Sequence, residues 1–207
     1  MVGRRMSVDA VLSSVLQDRI FYDESGGGVT FSGGEPLMQP EFLAGLLRRC
    51  RQEGLHTAVD TCGFAPQDLL LSLTQLTDLV LFDLKTVDER LHEESTGMPN
   101  QVILENLQVL GRSHDHIWVR IPIIPGYNDD RRQWDAAARL IADLPGVTQV
   151  NLLPYHNLHD HKLVTAGDMA NLNGLPYHQQ IPAPSAEYLE ELAQIFRAQE
   201  LHTKIGG

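Results

Sequence analysis

The chain has 207 residues, 43% of them hydrophobic and 21% charged, which is enough for one well-buried core and ordinary for a globular domain. Its formal net charge of -11 excludes a protein that holds nucleic acid by phosphate neutralisation, because that needs a clustered basic surface. Two cysteines, Cys50 and Cys62, exclude a multi-bridge secreted scaffold, and no apolar run approaches the ~20 residues that span a bilayer. The basic start at Arg4-Arg5 is followed by no apolar signal-peptide core, so a cytoplasmic protein with no membrane partner is expected.

Ser7 is placed to cap a first helix through about Leu16, since Val8, Val11, Leu12, Val15 and Leu16 recur at helical spacing. Val29-Thr30-Phe31 reads as a strand bracketed by Ser25-Gly26-Gly27-Gly28 and Gly33-Gly34-Glu35-Pro36; such glycines let the backbone approach a ligand closely. Pro40 opens a second helix carrying Phe42, Leu43, Leu46 and Leu47, closed by Gly54. A strand at His56 to Val59 ends in Asp60-Thr61, and Pro66 opens a third helix through Leu76. The strand Leu79 to Phe82 ends in Asp83-Leu84-Lys85, and a fourth helix runs from about Val102 to Leu110 before Gly111. Ile117 to Val119 leads to Arg120, a fifth helix spans Asp130 to Asp143, and Val150 to Leu153 leads to Pro154-Tyr155-His156. After one long irregular stretch, Tyr155 to Ala183, a sixth helix runs from Ser185 to Gln199 and a short strand covers Thr203 to Ile205.

This alternation predicts βα units around a parallel sheet in a single domain over residues 1–207. The carboxyl ends of parallel strands open on one face, so the polar groups that end these strands would converge on one site. Plainer readings stand beside that one. Asp60 and Asp83 can cap the helices that follow them, and Arg48, Arg49 and Arg51 read as a solvated helix face. Cys50, midway along an apolar-faced helix, reads as a small buried hydrophobe.

Gly33-Gly34-Glu35-Pro36, with Ser25-Gly26-Gly27-Gly28 before it and Asp60-Thr61-Cys62-Gly63, Asp83-Leu84-Lys85 and Leu153-Pro154-Tyr155-His156 after it, resembles the radical S-adenosylmethionine (SAM) activases of glycyl radical enzymes. The pyruvate formate-lyase activating enzymes are the best-known group, and the resemblance covers essentially the whole chain. It implies an oxidoreductase that cleaves SAM reductively and generates a glycyl radical on a partner enzyme, drawing electrons from a flavodoxin or ferredoxin. By that resemblance Gly33, Gly34 and Glu35 bind the methionyl amino group, and Asp83, Lys85 and His156 also contact SAM. Asp60, Thr61, the Leu81 carbonyl and Asp83 match the ligands of a monovalent cation, and Arg120 matches a residue beside the substrate peptide. Similar Pro-Tyr-His segments in the family bind no metal, which disfavours a zinc site at His156, His159 and His161.

The family holds a 4Fe-4S cluster on a C-x3-C-x2-C loop, and this sequence contains no such loop. The resemblance therefore implies the cluster for the full-length parent only, with no catalytic cysteine in this chain. The expected fold is α/β, a partial (β/α)6 TIM-like barrel of parallel strands lacking the first strand and cluster loop, with an open edge near Val29 to Phe31. An amino-terminally truncated activase of this kind would not turn over alone. Two alternatives remain: a barrel lyase using Lys85 as a Schiff-base nucleophile, with Asp60 and Asp83 as its acid and base, and a non-catalytic docking module for a glycyl radical enzyme.

Overall fold

The structure is a computed structural model that describes residues 4–155 and 182–206. Among the described residues eight α-helices and six strands alternate, and the chain divides into two compact units, Met1–Leu81 and Phe82–Gly207.

In the first unit Ser7 caps α1 (Val8–Val15) by accepting a hydrogen bond from the Ala10 amide at 3.2 Å. A 3-10 turn leads into α2 (Arg19–Ser25), a helix that the periodicity does not reveal because none of its residues is buried. Gly26, at φ 66°, ends α2, and β1 (Gly28–Phe31) starts two residues later. β1 pairs in parallel with β2 (His56–Thr61), Gly28 opposite His56 and Phe31 opposite Val59. A β-carbon at Gly28 would stand 1.9 Å from the His56 carbonyl oxygen. Gly26 therefore serves a helix end and Gly28 a close strand contact.

Between these strands lies α3 (Pro40–Gln52), begun by Pro40 and burying Leu43, Leu46, Leu47 and Cys50. Cys50 joins Leu12 and Leu55 in a core on which Val29, Phe31 and Tyr22 pack. Arg49 pairs with Asp9 at 2.8 Å while Arg48 and Arg51 are exposed, the solvated face expected of that trio. α4 (Gln67–Thr74) follows, and β3 (Leu79–Asp83) runs across the boundary between the units.

The second unit holds α5 (Glu89–Thr96), α6 (Gln101–Ser113), β4 (Ile117–Ile123), α7 (Arg131–Ala142), β5 (Val147–Pro154), α8 (Ala186–Arg197) and β6 (Thr203–Ile205). β4, β5 and β6 are parallel, with Arg120 opposite Asn151 and Asn151 opposite Lys204. Along β4 the isoleucines and Val119 are fully buried while Trp118, Arg120 and Pro122 occupy the other face, the period-2 alternation of a strand. Trp134 of α7 packs on Phe196 of α8 at a centroid distance of 6.5 Å. Gly111 does not stop α6 as expected but lies inside it. Leu144 packs where its β-carbon would stand, at 2.7 Å, and the Gly146 amide donates to its carbonyl at 2.8 Å, so glycine is there for contact. No helix among the described residues is long and apolar enough to cross a membrane.

Candidate functional site

Beyond the end of β1 the chain turns through Gly33 at φ 92° and Gly34 at φ 58°, a left-handed conformation that glycine adopts without a steric penalty. Open space lies where side chains at either position would project, so the pair forms an uncovered backbone cradle. Glu35 follows and caps a 3-10 turn, its Oε1 accepting from the Leu37 amide at 3.1 Å. From the end of β2 the Thr61 hydroxyl donates to the same oxygen at 2.7 Å. The Cys62 amide and thiol both donate to Oε2 at 3.0 Å. Thr61 is itself held by the Gly63 amide, which donates to its hydroxyl oxygen at 2.9 Å.

Four neutral donors thus hold Glu35, and among the described residues no basic side chain pairs with it. None of these donors is a cation, so none of them compensates a carboxylate charge. Asp60, on β2, accepts from the Ser32 hydroxyl at 2.9 Å. It does not cap the following helix, whose first turn is preceded by Pro66.

In the second unit Arg120 Nε donates to Asp83 Oδ1 at 2.8 Å, with side-chain exposures of 22% and 33%. Asp83 likewise caps no helix, since Asp88 caps α5. The cation beside Asp83 is Arg120 rather than the neighbouring Lys85, because β4 lies next to β3 in the sheet and brings the guanidinium across to the carboxylate. The Lys85 ammonium is half-buried and has no ion-pair partner among the described residues. Fully buried Asn128 donates to the Lys85 carbonyl at 3.0 Å and the Pro122 carbonyl at 2.6 Å, and accepts from the Ile124 amide at 2.8 Å. It ties the segments after β3 and β4 together.

Of the residues expected from the sequence, the structure brings Glu35 and Thr61 together and pairs Asp83 with Arg120. His156 lies outside the described residues, as do His159 and His161. Ser32, Cys62 and Asn128 are additions that sequence reasoning missed as participants; Asn128 carries a faint signal as the turn residue of Gly126-Tyr127-Asn128-Asp129. A cavity of about 470 Å³ lies at the starts of α5 and α7, lined by Arg90, Tyr127, Asp130, Arg132 and Gln133. None of the expected site residues lines it, and its arginines are already paired with Glu94 and Asp130. Hydrogen bonds from Arg132 hold the exposed Asp130 carboxyl below its usual range, and burial raises the Tyr127 phenol. The two cysteines stand apart in character, Cys50 buried in α3 and Cys62 partly exposed, and no three potential metal-ligating side chains cluster among the described residues.

A radical SAM superfamily profile matches residues 2–138. The chain is 38% identical over 208 residues to the trans-4-hydroxy-L-proline dehydratase activating enzyme of Clostridioides difficile, covering 100% of this chain and 67% of that protein. It is 46% identical over 162 residues to the isethionate sulfite-lyase activating enzyme of Nitratidesulfovibrio vulgaris, covering 77% and 52% respectively. The crystal structure of a domain of pyruvate-formate lyase-activating enzyme from Bacteroides vulgatus superposes with a TM-score of 0.72 at 35% identity, covering 87% of this chain and 99% of that one. The chain spans about half to two thirds of the length of the two curated relatives. The α/β fold of parallel strands expected from the sequence is the fold of this superfamily, whose chemistry implies SAM and a 4Fe-4S cluster. The chain therefore belongs to the radical SAM superfamily, within the activating enzymes of glycyl radical enzymes.

Proposed function

We propose that this chain carries the SAM-binding half of an activase that installs a glycyl radical on a partner enzyme. The observation that supports this reading best is Glu35, a carboxylate fixed beside the Gly33-Gly34 cradle by neutral donors alone. Such a group suits a ligand that brings its own positive charge, and the methionyl end of SAM offers a primary ammonium. Gly33 and Gly34 would take the amino-acid end by close backbone approach, and Lys85, Asp83 and His156 would complete contacts to SAM by the family pattern.

The residues present fit SAM but not the cluster. Two cysteines, one buried in α3 and one bonded to Glu35, cannot supply the set of thiolates that an iron–sulfur cluster needs, so no step is assigned to it on this chain. Asp60, Thr61, the Leu81 carbonyl and Asp83 offer only oxygen donors, the chemistry that a hard monovalent cation prefers. Thr61 suits that role because its hydroxyl donates to Glu35, accepts from the Gly63 amide and keeps one lone pair. Arg120 is proposed to face the partner's glycine-bearing segment, and a flavodoxin or ferredoxin to act as reductant.

Calorimetric titration of the chain with SAM tests the reading. Binding that Glu35→Gln weakens by roughly tenfold or more is expected from loss of a charge-assisted contact, and unchanged binding would refute it.

A further inference from the structure

Each oxygen of Glu35 already accepts two hydrogen bonds: Oε1 from Leu37 N and Thr61 Oγ1, Oε2 from Cys62 N and Cys62 Sγ. An ionised carboxylate offers about four lone-pair sites, so an incoming ammonium must take over one that is in use. The four donors differ in how readily they yield. The Leu37 amide is fixed by the 3-10 turn that Glu35 caps, and the Cys62 amide by the chain leaving β2. The Thr61 hydroxyl is 2% exposed and also accepts from the Gly63 amide, so turning it away disturbs a second bond. The Cys62 thiol turns about a single side-chain torsion, is partly exposed, and is intrinsically the weakest donor of the four.

We propose that the Cys62 S–H is a displaceable donor, holding the Oε2 lone pair of Glu35 that the ligand's primary ammonium takes over. The inference rests on the reading that Glu35 receives the methionyl ammonium. Exchanging a neutral S–H for a charged N–H is favourable because charge-assisted hydrogen bonds are about twice as strong as neutral ones. A ligand with no donor stronger than a thiol gains nothing from the exchange. Cys62 is then a placeholder, keeping the Oε2 lone pair of Glu35 satisfied until an amino-acid ammonium takes it over. This role is the opposite of orienting Glu35, and the two make opposite demands on the residue at position 62.

The test is calorimetric titration of the wild type, Cys62→Ala, Cys62→Ser and Glu35→Gln with SAM, and with 5′-methylthioadenosine, which lacks the amino-acid end. Displacement predicts that Cys62→Ala binds SAM at least as tightly as the wild type, and that Cys62→Ser, with its stronger hydroxyl donor, binds about threefold to tenfold more weakly. Neither substitution should alter affinity for 5′-methylthioadenosine. In the infrared, the Cys62 S–H band should move to the frequency of a weaker hydrogen bond when SAM is added, while the band of buried Cys50 stays fixed. Cys62→Ser at wild-type affinity with Cys62→Ala weakened would overturn the inference, as would equal affinities with an unmoved band. Binding of SAM that is indifferent to Glu35→Gln, or no binding by the wild type, would instead remove the underlying reading and the inference with it.

Discussion

Glu35 in the first unit and Asp83 in the second are both carboxylates beside the carboxyl end of a strand, yet they are held in opposite ways. Glu35 is surrounded by two amides, a hydroxyl and a thiol, with no cation among them. Asp83 has the Arg120 guanidinium at 2.8 Å, so the pair carries no net charge. A cationic ligand meets an uncompensated anion at Glu35, whereas at Asp83 it has to compete with an arginine already in place. The sequence shows two acidic residues at equivalent kinds of position. The donors around them decide which one meets a cationic ligand without a competing cation beside it.

The largest effect should come from Glu35→Ala. SAM affinity should fall about 100-fold, and stability by about 2 kcal/mol, because the buried Thr61 hydroxyl and the Cys62 amide lose their acceptor. Calorimetry and urea unfolding would read both; a stability loss without an affinity loss would reduce Glu35 to a cap of its 3-10 turn and break the contrast. Arg120→Met comes next, at about 1 kcal/mol, a value kept small because both partners are partly solvated. That loss should shrink at high salt, where the wild-type pair is itself screened. Thr61→Val should cost a similar or smaller amount, about 1 kcal/mol or less, with no salt dependence, and Thr61→Ser should retain stability. Equal salt dependence of the two losses in urea unfolding would mean that neutral and ionic donors are not distinguished.

Much of this arrangement was legible in the sequence wherever a backbone rule forces a residue choice. Ser7, Pro40, Asp130 and Ser185 marked helix starts because a first turn needs an acceptor or tolerates a missing amide, and all four stand there in the structure. The parallel strands were visible as short apolar runs between helical patterns. α2 and α5 were not, since the first buries no residue and the second only His92, leaving no apolar stripe to read. Gly111 misled because a glycine required for contact with Leu144 looks the same in sequence as one that ends a helix. The motif around Glu35 was readable only through its family likeness. Which groups donate to it depends on pairing β1 with β2, a contact about 26 residues apart that no local pattern encodes.

The two cysteines extend the contrast to its smallest measurable effect. Cys62 donates to a carboxylate and is partly exposed, while Cys50 is 0% exposed inside the first unit's core. Burial first, and the Glu53 carboxylate second, push the Cys50 thiol above its ordinary value of 9.0. The folded state thus favours the protonated thiol, so this contribution to stability is fully present below pH 9.0 and is lost as pH rises through the raised folded value. A folded chain at neutral pH should be labelled by a thiol reagent at Cys62 and spared at Cys50, with both labelled after denaturation. Labelling of Cys50 at the rate of Cys62 would mean that α3 opens locally faster than the reagent reacts. In that case burial would not be what separates the two thiols, and the first unit would be held less firmly than its packing around Leu12, Cys50 and Leu55 implies.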